Sequence, residues 1–85
     1  MTTSPGAADL ASAAQRTAGM LAARHRGDAD GWAELYRSFP DSGALAGGSL
    51  MLADLLLGLY REQTGQTMDE CVQELSLHID RAVAG

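Results

Sequence analysis

One stretch constrains this chain more than any other. Ser49–Tyr60 reads SLMLADLLLGLY, and nearly every residue in it is apolar. At 100° per residue, Leu45, Leu52, Leu56 and Leu59 share one side of a helix. Met51 and Leu55 widen that side in one direction. Leu50, Ala53, Leu57 and Tyr60 widen it in the other. Only Asp54, Gly58 and Arg61 break the pattern, as a narrow polar strip. A helix with so wide an apolar surface belongs in a core or against a partner. The expectation is therefore a third helix, Gly43 to Gln63, that acts as a hub covered everywhere except along the strip. The twelve-residue stretch alone is too short to cross a bilayer, which takes about 20 apolar residues. Asp54 and Arg61 fall in the same helix, so no membrane partner is expected.

The rest of the chain supplies three candidates to cover the hub. From Ala8 to Arg26, Leu10, Ala14, Thr17, Leu21 and Arg24 recur at spacings of three and four, flanked by Ala13 and Met20. That stripe is narrow and built mostly of Ala. Arg24, His25 and Arg26 suit a helix C-terminus, and Gly27 suits a left-handed cap. Asp28 can cap a second helix, in which Trp32, Leu35, Tyr36 and Phe39 fall at i, i+3, i+4 and i+7. These hold every aromatic except Tyr60, so the densest packing is expected there. Pro40 ends that helix, and Asp41 or Ser42 can cap the third. Gly47-Gly48 marks a weak point where the third helix kinks or begins. Gly65 is its expected end cap. Thr67 and Glu70 form a capping box for a fourth helix, along which Met68, Val72, Leu75, Ile79 and Ala82 alternate at four and three. That is the spacing of a packed helix seam. Residues 1–7 are small, polar and broken by Pro5 and Gly6, and are expected to be a disordered tail before one domain, 8–85. The fold class expected is all-α, a compact bundle of four short helices around the Leu-rich third.

Eighty-five residues make a thin core. The usual supports are disulfides, metals and oligomers. Cys71 is the only cysteine, which excludes an internal disulfide and suits a reducing cytoplasm. His25, His78 and Cys71 stand in no zinc-ligand spacing, so neither metal nor cofactor is expected. Self-association remains, and a homodimer is the expected partner. Its expected face joins Leu50, Asp54, Leu57, Gly58 and Arg61 of the third helix with Leu77, which falls among polar residues of the fourth. Gly58 would permit close approach, and Asp54 of one copy would meet Arg61 of the other across a two-fold axis. An unidentified protein partner is the other possibility.

Eleven acidic and six basic residues give a net charge of −5. That balance argues against a nucleic-acid backbone as main ligand, which needs a positive field. All six basic residues are Arg, and Lys and Asn are absent; GC-rich bacterial coding sequence gives such a composition. No catalytic constellation is visible. Cys71 and His78 lie two turns apart, about 10 Å, beyond a direct hydrogen bond. Asp28/Asp30 and Asp69/Glu70 open helices, and capping accounts for them. GALAGG lacks the preceding strand and following Lys of a phosphate loop. No enzyme activity is expected.

Two stretches resemble known families. GSLMLADLLLGLYRE is similar to the helix of acyl carrier proteins that follows their phosphopantetheine-bearing Ser, which would make Ser49 the attachment site, although Gly48 stands where the family has Asp. GDADGWAELYRSF and DECVQELSLH resemble two parts of region 2 of extracytoplasmic-function sigma factors, which would imply a role around RNA polymerase. The two parts lie about ten residues too far apart for that family, and its basic surface is missing. The function expected is a small non-enzymatic helical interaction or regulatory module, in the cytoplasm, that associates with itself.

Overall fold

The structure, a computed structural model, describes residues 6–84. The expected tail falls mostly on residues 1–5, outside the described ones. The chain is all-α: 87% helical, in four helices with no strand among the described residues. They are α1 (Ala7–Arg26), α2 (Ala29–Arg37), α3 (Ser42–Thr64) and α4 (Met68–Ala84), and α3 contacts both α1 and α4.

Every boundary has a local cause. α1 ends at Gly27, which takes φ +74°. The Gly27 N–H donates to Arg24 O at 3.1 Å and the Asp28 N–H to Ala23 O at 2.9 Å. These paired bonds satisfy carbonyls the helix would otherwise leave open. Asp28 Oδ1 then accepts from the Gly31 N–H at 2.9 Å and caps α2. Of the two candidates for the third cap, Asp41 fills the role: its Oδ1 accepts from the Ala44 N–H at 2.7 Å. α3 stops at Gly65, φ +71°, whose N–H donates to Arg61 O at 2.8 Å. The Thr67–Glu70 capping box forms in both directions. The Thr67 N–H donates to Glu70 Oε1 at 2.9 Å, and the Glu70 N–H donates to Thr67 Oγ1 at 3.2 Å.

The chain divides into two compact units at Asp54/Leu55, so α3 contributes to each. In the first unit, α1 lies against α2 and the first half of α3. Among its described residues the buried ones are Ala13, Ala14, Met20 and Ala23 of α1, with Gly48 of α3, all small except Met20. Gly48 explains the thin stripe of α1. A Cβ placed on it would lie 2.7 Å from Ala13 C and 2.8 Å from both Ala13 Cβ and O. The two backbones meet there, and only glycine permits it. α3 does not begin at Gly47-Gly48, because it runs unbroken through both from Ser42. Their poor helix propensity is offset by the close approach.

The second unit is a helical hairpin of Leu55–Thr64 and α4. Among its described residues only Cys71 is buried.

Two packing expectations are overturned. α2 carries no buried residue. Trp32 and Tyr36 stack on each other, 5.2 Å apart and 9° from parallel, and both remain exposed. Their i, i+4 spacing lets them cover one another rather than enter a core. The hub helix is not covered either: Leu50, Leu55, Leu56, Leu59 and Tyr60 are all exposed. The surrounding helices are too few and too Ala-rich to sheathe it.

Candidate interaction surface

The hairpin of the second unit turns at Gly65–Thr67, which brings α4 back along the last turns of α3. Tyr60 Oη donates to Glu74 Oε1 at 2.9 Å, and Gln66 Nε2 donates to Glu74 Oε2 at 3.0 Å. Cys71 Sγ donates to Gln66 Oε1 at 3.4 Å. Arg61 Nε donates to Gln66 O at 3.2 Å. One glutamine thus ties the turn to both helices. The Gln66 amide, then the Tyr60 hydroxyl, hold the Glu74 carboxyl below the usual glutamate range, and the His78 charge acts in the same direction. The same carboxylate raises the Tyr60 phenol above its ordinary value, chiefly through their hydrogen bond. Glu70 is lowered by the Thr67 backbone N–H and hydroxyl that it caps.

This network was not anticipated from the sequence. The signal for it was the turn: residues equally far from Thr67 face each other in an antiparallel hairpin, and Tyr60 and Glu74 are each seven away.

A 310 Å³ pocket opens between the two helices, lined by Leu57, Tyr60, Cys71, Glu74, Leu75 and His78. Cys71 and His78 therefore share a pocket, yet the thiol is buried and donates to Gln66. Among the described residues, no three of His, Cys, Asp and Glu could hold a metal ion together. Ser49 sits inside α3, half-buried, with Ser42–Gly48 already helical before it. A carrier serine by contrast stands ahead of its helix. The two sigma-like stretches lie at α2 and in α4.

The six residues of the expected dimer face are placed as follows. Leu50 and Leu77 are exposed, at 73% and 57%, and Asp54 is exposed. Leu57 is half-buried and lines the pocket toward α4. Arg61 is half-buried and held by the turn through Gln66. Gly58 has nothing within 4 Å of where a Cβ would stand. Within the chain, the close-approach glycine of α3 is therefore Gly48.

The sequence reading missed how much more apolar surface is open. On α4, Val72 (46%), Leu75 (43%), Ile79 (53%) and Val83 (82%) are exposed. The first three belong to the seam whose spacing foretold packing. They flank Cys71 rather than share its buried position. On α3, Leu55, Leu56 and Leu59 are more than half exposed. Isolated exposed leucines are ordinary in soluble proteins, whereas aligned ones mark an interaction surface. All 23 residues of α3 also make it long and apolar enough, by length and composition, to cross a membrane: its best 18-residue window has a mean hydropathy of 1.5 and is 6% buried. The length limit drawn from Ser49–Tyr60 does not hold for the full helix. Asp54, in its middle, opposes insertion at a cost of about 3 kcal/mol.

No protein-family model, no curated protein and no solved structure matches this chain.

Proposed function

We propose that the protein is a small, non-enzymatic helical module that acts by association, first with itself, in the cytoplasm. One observation supports this above the rest: aliphatic residues at regular helical spacing on α3 and α4 stand exposed, while the buried set is Ala13, Ala14, Met20, Ala23 and Cys71. A chain whose interior holds almost no large aliphatic side chain has little to oppose its conformational entropy. A partner that covers those residues supplies the missing burial. Leu50, Asp54, Leu57, Gly58, Arg61 and Leu77 remain the residues assigned to partner contact, and the open space over Gly58 leaves room for a neighbouring helix. Catalysis is not part of the reading.

Size-exclusion chromatography with light scattering tests it directly. The chain weighs 8.9 kDa. A mass near twice that, falling toward the monomer on dilution, is the expected result. A monomer at every concentration refutes self-association.

A further inference from the structure

We infer that the seam of α4, Val72, Leu75 and Ile79 with Val83 beside it, is where a second copy of this chain docks, so that two hairpins complete a four-helix bundle. This rests on the self-association proposed above and places the contact on the seam, on the side of α4 away from Leu77.

Among its described residues the second unit buries only Cys71. Two helices with one small buried side chain do not make an independent core, and isolated helices of such length are marginal in water. Yet the elements are sharply defined, with a complete capping box, a left-handed glycine and the Tyr60–Glu74–Gln66 network. A hairpin built this carefully but without a core is half of a bundle. Four-helix bundles bury stripes at a/d spacing, and the open stripe on α4 has that spacing.

Area favours a second copy as occupant. The four side chains leave about 400 Å² of apolar surface open, roughly half of the ~800 Å² each partner gives to a stable interface. That share matches the apolar fraction of such interfaces. In an antiparallel two-fold pairing centred near Leu75, Ser76 falls opposite Ser76 of the second copy, and Asp69 falls opposite its Val83. In that register no like charges stand directly opposite, and the nearest pair, Asp69 and Asp80 of the second copy, is offset by three residues. The seam is also continuous with the α3 contact, since Leu75 lines the intramolecular pocket on one side and is open on the other.

The test places one acid on the seam and one off it. Ile79→Asp should turn the dimer into a monomer with helicity retained, whereas Leu21→Asp, at an exposed leucine of α1, should leave it dimeric. Should Ile79→Asp unfold, site-resolved alkylation decides instead. In Ile79→Cys the new thiol should react several-fold more slowly in concentrated than in dilute protein, and in Leu21→Cys at one rate in both. A dimer that survives Ile79→Asp, or an Ile79→Cys thiol labelled equally fast in dimer and monomer, overturns the placement while self-association stands. A wild-type monomer at all concentrations removes both. Protection of the Ile79→Cys thiol that arises only on adding phosphatidylcholine vesicles assigns the seam to lipid and overturns the proposal.

Discussion

A single methyl group at Gly48 should destabilise this protein, although it improves the helix. Gly48→Ala adds helix propensity of about 1 kcal/mol to α3. The new Cβ, however, would stand 2.7 Å from Ala13 C and 2.8 Å from Ala13 O, about 1 Å inside ordinary carbon contact. Those atoms belong to the α1 backbone and cannot rotate aside. α3 must move off α1 by most of an ångström, opening gaps around Ala13, Ala14 and Ala23, which are buried. Overpacking of this kind costs about 1–3 kcal/mol, and a contact against rigid backbone belongs at the upper end. The net change should be about 1–2 kcal/mol of lost stability. In a domain of this size that lowers Tm by roughly 5–15 °C, read by circular dichroism at 222 nm. Ala13→Gly should not rescue it, because the backbone carbon and oxygen remain in the way. Gly58→Ala is the internal control: its Cβ meets nothing within 4 Å, so at dilution it should stabilise by up to ~1 kcal/mol. A Gly48→Ala variant as stable as Gly58→Ala would refute the close-approach account of the α1–α3 contact.

Three further outcomes follow from local geometry. Asp28→Ala removes the acceptor of the Gly31 N–H and should cost about 1 kcal/mol, seen as a lower urea midpoint; the exposed Arg26–Asp28 pair at 3.7 Å adds little. Glu74 and Glu70 are both held below their usual range, so each favours folding above the unfolded glutamate pKa, and that contribution fades as pH falls through the lower folded value; a thermal-melt series in acid should show Tm declining there, and less steeply in Glu74→Gln. Tyr60 is raised, so its contribution is intact below the unfolded phenol value and is lost as pH rises through the folded one; an absorbance titration of the phenolate should show Tyr60 ionising above the ordinary phenol value, and that delay should vanish in Glu74→Gln.

The features legible in the sequence were those decided within a few residues. Gly27, Gly65, Asp28 and the Thr67–Glu70 pair act on backbone groups at most five positions away, so residue type and spacing suffice to place them. The helices and the all-α class followed. Burial was not legible, because it depends on what lies opposite. Trp32 and Tyr36 have the spacing of a core stripe and instead stack on each other. Gly58 and Gly48 look alike in sequence, and only the position of Ala13 tells which one carries a helix contact. The Tyr60–Glu74 bond joins residues fourteen apart; it was readable only by folding the hairpin about Thr67, and no residue type announced it.

The exposed leucines of α3 follow from arithmetic around the helix. Apolar residues occupy nearly its whole circumference, and one neighbouring helix covers only about a third of a cylinder packed 8–10 Å away. Covering all of it would take at least three neighbours along the full 23 residues. α1 meets the first half through Ala and Gly, whose small side chains bring backbones close but shield little. α4 meets the second half through Tyr60, Leu57 and the Gln66 turn. α2 contributes no buried side chain. Repacking within 85 residues cannot supply the missing neighbours, because α4's own seam is also open. Two exposed stripes on one hairpin that buries only Cys71 are excess surface in a monomer and interior in a larger assembly. The same geometry that leaves α3 uncovered is what favours the proposed association, which would bury both stripes of the second unit.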